Sequence, residues 1–303
     1  MATDITVRAV LGPDDAPERL RPTLAVFSEV EASCTRFVPT SPLMRANATP
    51  DRWHGVPPLC FAALVEADRA YQRTSGRFDP RVLGDLVRLG YTRSLPFAEG
   101  ELSLEGQRPQ RRRALGPWRP RFRGGSGEVR LGVHPVDLGG IGKGLAVRWA
   151  SQTLRALTGD HLIEAGGDCY CSGHSPDGGP WVVAVEDPRG GSAPVAVLCL
   201  TDRACTTSSL RLRRWRVGGR PVHHLVDPRT GSPGGVGLLA VTVVGSDPAV
   251  AEVWSKVVFL AGVRGAPGLA SRKGLAALWV SADGALGISP AMRRYVRWQA
   301  SAA

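Results

Sequence analysis

Lysine is nearly absent from this 303-residue sequence: 38 residues are basic, yet only Lys143, Lys256 and Lys273 carry an amine. GC-rich coding would favour arginine in the same way, but in such a chain each lysine that remains invites a chemical reason. Long apolar runs are absent too. No stretch of 18 or more apolar residues occurs, which argues against a transmembrane helix. The opening MATDITVRAVLG has an acid at Asp4 and no apolar block, so it does not read as a secretion signal. A cytoplasmic protein with no membrane partner is the expectation. None of the six cysteines (Cys34, Cys60, Cys169, Cys171, Cys199, Cys205) forms a CxxC pair. The Cys169-x-Cys171 spacing suits alternate faces of a strand better than a metal knuckle, and small core residues in a reducing compartment is the reading.

What is present describes an ordinary globular chain, 43 % hydrophobic and 21 % charged. It has enough material for one domain over 1–303, either undivided or in two lobes of about 1–130 and 131–303. The formal net charge of +11 allows two readings, nucleic-acid binding or an enzyme for an anionic substrate. The densest run holds Arg108, Arg111, Arg112, Arg113, Arg119, Arg121 and Arg123. Its prolines and glycines read as a surface loop over about 105–127, and only Trp118 and Phe122 supply aromatics. No nucleic-acid partner is expected.

Periodicity predicts a strand at 4–10 and helices at 16–34 and 58–75, with FVPTSPLMRANATP a loop between them. FDPRVLGDLVRLGY predicts a short helix capped by Asp79 with Pro80 at its first position. A strand at 127–133 runs into a glycine-rich turn and a helix at 142–157, whose Leu145, Trp149 and Leu154 share a side. From 161 onward strands dominate: 161–168, 181–188, 194–200, 203–209, 223–228, 238–245 and 275–281, interrupted by a helix at 248–262. Such a mix argues an α+β fold, mixed or antiparallel sheets with flanking helices.

Four segments can carry chemistry. In Asp137-Leu138-Gly139-Gly140-Ile141-Gly142-Lys143-Gly144 a strand ends in glycines and a helix begins. Helix-start amides favour an anion, glycines admit close approach, and Lys143 adds a point charge. The spacing matches neither GxxxxGK[ST] nor GxGxxG, and a tight turn packing a helix on a sheet explains it equally well. Glu164-Ala165-Gly166-Gly167-Asp168 reads as a bend beside a ligand or as an Asx turn. His224, Asp227 and Arg229 cluster in His223-His224-Leu225-Val226-Asp227-Pro228-Arg229-Thr230-Gly231. There the histidine can act as a general base, although Asp-Pro-Arg-Thr-Gly is also an ordinary turn. Glu252 and Lys256 stand four apart on a helix, in the favourable order for a salt bridge.

Taken together and in order, these segments resemble the ApbE family of FAD:protein FMN transferases. The resemblance runs over about 20–290 through FVPTSPLMRANA, GRFDPRV (76–82), DLGGIGKG (137–144), EAGGD (164–168), VAVEDP (183–188) and HLVDPRTGSP (224–233). It implies an ApbE-like fold and a transferase that splits the FAD pyrophosphate. FMN would pass to a Thr or Ser hydroxyl of an acceptor flavoprotein, releasing AMP, a flavinylation. It also implies that Asn47, Gly139, Gly140, Lys143, Asp168, Thr207, Ser208 and Asp227 contact FAD. His224 would take the proton of the target hydroxyl, and Mg²⁺ would sit at the pyrophosphate with Gly142 (through its carbonyl) and Glu252 as ligands.

One segment departs from the family pattern. The metal-binding helix of the family reads A-D-x-x-x-T, whereas here it reads Ala251-Glu252-Val253-Trp254-Ser255-Lys256. Mg²⁺ requires oxygen ligands, and an ammonium supplies none. Either Lys256 stands in for the metal as a catalytic cation, or Glu252 pairs with Lys256 and the ion is weak or displaced. The departure also motivates an alternative, an FAD-binding or FAD-hydrolysing relative repurposed in a biosynthetic pathway.

Overall fold

A computed structural model describes residues 3–12, 17–94 and 115–300. Along the chain the elements begin with β1 (Ile5–Ala9), α1 (Arg21–Cys34), α2 (Pro42–Ala48), β2 (His54–Gly55), α3 (Pro58–Arg73) and α4 (Leu83–Arg88). There follow β3 (Arg121–Arg123), β4 (Glu128–Arg130), α5 (Gly142–Leu154), β5 (His161–Ala165), β6 (Asp168–Ser172), β7 (Trp181–Val185), β8 (Ala196–Leu200) and β9 (Arg203–Ser209). Next come β10 (Arg214–Val217), β11 (Arg220–His223), β12 (Val226–Asp227), β13 (Ser232–Pro233) and β14 (Leu238–Gly245). The chain closes with α6 (Pro248–Leu260), α7 (Gly262–Arg272), β15 (Ala276–Ser281), β16 (Leu286–Ile288) and β17 (Val296–Gln299). The α+β class follows directly.

Contacts gather into two interleaved units. The first comprises 1–28, 143–211 and 235–303; the second comprises 29–142 and 212–234. The first unit is built on an antiparallel sheet of order β1-β5-β6-β9-β14-β15-β16. A second sheet, β17-β8-β7, shares a core with it: Leu162, Cys169, Cys171, Cys205 and Leu278 from one meet Trp181, Val185, Leu198 and Leu200 from the other. Cys169 and Cys205 face each other across the β6–β9 ladder, and all six cysteines are free thiols. On the opposite face of the large sheet, α6 lies against β9 and β14. It is pinned there by a buried hydrogen bond between the hydroxyls of Ser208 and Ser255.

In the second unit the hairpin β10–β11 buries Trp215, Val217 and Val222 against Leu86 and Leu89 around α4. The Trp215 indole donates to the Leu89 carbonyl. A small sheet β2-β4-β3 completes the unit.

Several expectations need correction. FVPTSPLMRANATP is not all loop. Ser41 caps α2 by accepting from the Met44 amide, and Pro42 occupies the first turn. Asp79 does not cap α4, because its carboxylate is held by Arg81 two residues on, through backbone amide and guanidinium. The segment 161–168 is not one strand. Gly166 (φ 58°) and Gly167 (φ 86°) form the two-residue turn of the β5–β6 hairpin, a conformation that favours glycine. Within the arginine-rich segment, 121–123 pairs as β3 with β4, while Arg108, Arg111, Arg112 and Arg113 lie outside the described residues. Helix α7 has no local sequence signal, because Gly262, Gly265, Pro267 and Gly268 argue against a helix; its packing on α6 and β15 stabilises it.

Candidate functional site

In the first unit, one end of α5, the start of β6 and the middle of α6 bring four charged side chains together. Lys143 enters from the first turn of α5. The β5–β6 turn places Asp168 at the head of β6, opposite Thr206 of β9. Glu252 and Lys256 lie one turn apart on α6, and the Lys256 ammonium donates to Glu252 Oε1 at 3.0 Å. The Lys143 ammonium donates to Asp168 Oδ2 and, at 3.3 Å, to Glu252 Oε1. The remaining carboxylate oxygens are bonded too: Asp168 Oδ1 accepts from the Thr207 amide at 3.1 Å and Glu252 Oε2 from the Gly144 amide at 2.7 Å.

The two carboxylates are 1 % exposed, the Lys143 and Lys256 side chains 17 % and 15 %. Burial would raise the Glu252 pKa, but the two ammonium groups and the Gly144 amide outweigh it and hold the carboxyl at about 2. Burial raises Asp168, with Lys143 opposing. Burial lowers Lys256, with Glu252 opposing. Thr207 and Ser208 stand next to this cluster on β9. Their hydroxyls bond to Thr242 (2.9 Å) and Ser255 (2.8 Å) respectively.

Gly144 shows why the glycine-rich turn is so poor in side chains. A Cβ there would lie 2.5 Å from the Pro248 carbonyl oxygen and 2.7 Å from Ala249 Cα. The glycine therefore lets α5 approach the start of α6 closely enough to bond Glu252. Gly144 and Glu252 both stand in segments that the sequence marks, but their pairing is not legible there, because the acceptor lies 108 residues away.

In the second unit, the loop before α5 is shaped from within. Asn47 clamps Val136, donating to its carbonyl and accepting from its amide, both at 2.8 Å. Asp137 accepts from the Gly139 amide and pairs with Arg36 at 2.8 Å, both side chains 7 % exposed. The Arg36 guanidinium also lies 4.3 Å from the Phe37 ring centroid and 4.2 Å from that of Tyr91. The amides of Ile141 and Gly142 donate to the Leu138 carbonyl. The loop is thus not the open row of amides expected from its glycines: those of Gly139, Ile141, Gly142 and Gly144 all have acceptors within the protein.

Asp227 also has an internal partner. Its carboxylate accepts from the Arg229 amide (2.9 Å) and guanidinium (2.7 Å). Asp79-Pro80-Arg81 and Asp187-Pro188-Arg189 make the same fork, so Asp-Pro-Arg is a turn device used three times in this chain. The two adjacent histidines differ. His223 is pushed down to about 4 by burial, opposed by its bond to the Gly234 backbone, and its Nδ1 accepts from the Leu225 amide. His224 Nδ1 lies 3.2 Å from the Arg213 carbonyl. A carbonyl only accepts, so Nδ1 carries the proton and the neutral ring has its lone pair at Nε2, the tautomer a general base requires.

Mg²⁺ does not fit the donor set around Glu252. The ion takes six oxygens in an octahedron. Here all four carboxylate oxygens already accept hydrogen bonds, and two ammonium groups stand among them. Among the described residues no group of three or more His, Cys, Asp or Glu side chains is arranged to hold a metal, and no helix is long and apolar enough to cross a membrane.

Comparison with known proteins gives a consistent result. The ApbE family profile matches residues 1–279. A Chlamydia trachomatis protein named FAD:protein FMN transferase is 29 % identical over 251 residues, covering 80 % of this chain and 75 % of that one. One of the same name from Salmonella typhimurium is 27 % identical over 151 residues, 49 % of this chain and 43 % of its own. Among solved structures, the ApbE protein of Thermotoga maritima superposes with a TM-score of 0.82 at 26 % identity, covering 96 % of both chains. The flavin transferase ApbE of Vibrio cholerae gives 0.76 at 22 % identity, covering 97 % of this chain and 96 % of its own.

Proposed function

The chain belongs to the ApbE family, and on that premise we propose that it is an FAD:protein FMN transferase. The observation that carries this reading is the match along residues 1–279 together with the long alignment to a protein of that name. The acceptor is a flavoprotein presenting a Thr or Ser hydroxyl. That oxygen attacks the FMN phosphorus of FAD, the bond to the bridging oxygen breaks, AMP leaves, and the hydroxyl proton passes to a base.

The residues suit this chemistry. Phosphoryl transfer depends on positioning and on neutralising charge as the bond breaks. Lys143 and Lys256 present ammonium groups that can meet the pyrophosphate, with Asp168 and Glu252 fixing where they point. His224, oriented by the Arg213 carbonyl, is the proton acceptor. Gly139, Gly140 and Gly142 are assigned to the approach of FAD, Thr207 and Ser208 to the flavin side. Asn47 and Asp227 serve by holding loop 136–140 and turn 227–231 in shape. The resemblance brings Mg²⁺ with Gly142 and Glu252 as ligands, but the donor set described above does not support it, and no step here uses the ion.

The test is incubation of the protein with FAD and a flavoprotein acceptor or Thr-containing peptide, reading AMP by chromatography and the acceptor by mass. A gain of one FMN less one water on the acceptor, with matching AMP, is expected. AMP and free FMN without acceptor labelling would indicate FAD hydrolysis. No AMP under any condition would leave a flavin-binding protein, the second reading that the lysine-filled site favours.

A further inference from the structure

The Lys143–Asp168–Glu252–Lys256 cluster is electrically closed: two ammonium groups balance two carboxylates, and every carboxylate oxygen has a donor. It is also polarised. The carboxylate side chains are sealed at 1 % exposure, while the Lys143 and Lys256 side chains are 17 % and 15 % exposed. Of this cluster, only the cationic side chains are open to solvent, although its net charge is zero. A divalent cation entering here would meet two ammonium groups and no unbonded carboxylate oxygen. An anionic diphosphate would meet the Lys256 ammonium, which has three N–H donors and gives one of them to Glu252.

We propose that this protein uses Lys256, together with Lys143, in place of a divalent cation, and that it binds the FAD pyrophosphate without any metal. The inference rests on the reading of FAD as substrate. It makes Lys256 a substrate-binding cation, with Glu252 holding it by the 3.0 Å bond one helical turn away. It also has a converse. Removing the Lys256 charge leaves Asp168 and Glu252 balanced by Lys143 alone, a net charge of −1 in a buried pocket. Lys256→Thr adds a hydroxyl oxygen to that pocket, so the variant should gain cation affinity where the parent has none.

The experiment uses the full chain and its Lys256→Thr variant. Mn²⁺ binding is read by electron paramagnetic resonance without FAD. FAD binding is read by flavin fluorescence in EDTA and in Mg²⁺. The wild type is expected to leave Mn²⁺ free and to bind FAD equally within about twofold in both buffers. The variant is expected to bind FAD about tenfold more weakly in EDTA, the loss of one charge-assisted contact, and to recover with metal. Stoichiometric Mn²⁺ binding by the wild type, with FAD affinity lost in EDTA, overturns the inference and leaves the FAD reading standing. Absence of FAD binding in every buffer overturns both. Thermal unfolding of the variant is recorded alongside, and if it does not fold the wild-type measurements decide alone.

Discussion

Gly142 and Gly144 sit two residues apart in one glycine-rich turn, and the structure predicts opposite outcomes for the same substitution. In Gly144→Ala the new methyl would lie 2.5 Å from the Pro248 oxygen, 2.7 Å from Ala249 Cα and 2.8 Å from Ala249 N. All three are backbone atoms and none can swing aside. Ordinary contact begins roughly 0.9 Å further out, so α5 must retreat from α6 by that order of distance. Overpacking of this kind costs about 1–3 kcal/mol. The same retreat stretches the 2.7 Å bond from the Gly144 amide to Glu252 beyond hydrogen-bonding range, and a buried charged acceptor that loses a donor costs about 1–3 kcal/mol more. A loss of about 2–6 kcal/mol in urea denaturation is the expectation. In Gly142→Ala nothing described lies within 4 Å of the new methyl, so stability should stay within about 0.5 kcal/mol of the parent. If the glycines served only to admit a phosphate, both variants would remain stable and lose FAD instead. Equal stability of Gly144→Ala and wild type would refute the helix-approach argument.

Arg36→Met strands Asp137 in a site where both partners are 7 % exposed, and should cost about 3–5 kcal/mol, with Arg36→Met/Asp137→Asn recovering much of it; additive losses in the double variant would contradict a direct pair. His223 has a folded pKa of about 4 against an ordinary 6.5, so the unfolded chain takes up its proton first. Stability is full above pH 6.5, falls as pH drops toward 4, and loses about 3 kcal/mol across that window; a denaturation series should show this slope, and His223→Asn should flatten it. His224→Ala should lower the turnover number for FMN transfer about 10²–10⁴-fold while FAD binding is unchanged; an unchanged pH–rate profile in the variant would remove His224 from the chemistry. Asn47→Leu removes both bonds to Val136 and should cost about 2 kcal/mol, read by thermal unfolding.

Much of the fold is legible in the residues themselves. Helices α3 and α5 follow from apolar spacing, α6 and the long strand β14 from nearly continuous apolar runs, β14 being buried on both faces. For α2 the signal is local, Ser41 followed by Pro42, but seven residues are too few to show a helical period. Helix α7 was not legible, since its glycines and Pro267 oppose a helix that packing alone sustains. The three Asp-Pro-Arg turns are fully local, and their repetition could have shown that Asp79 and Asp227 have an internal partner two residues on.

The sequence by itself determined the family, the α+β class and the roster of chemical groups, above all Lys143 and Lys256 in a chain with one other lysine. Those properties reside in residue type and in spacing along the chain. Only the tertiary structure decided what each polar group does. Lys143 finds Asp168 25 residues away and Glu252 109 residues away, and Asn47 finds Val136 89 residues away. A buried charge or amide must be satisfied by whatever the fold brings beside it. That requirement turned Asn47 and Asp227 inward and made the lysines a closed pair with two carboxylates, and no local pattern encodes it.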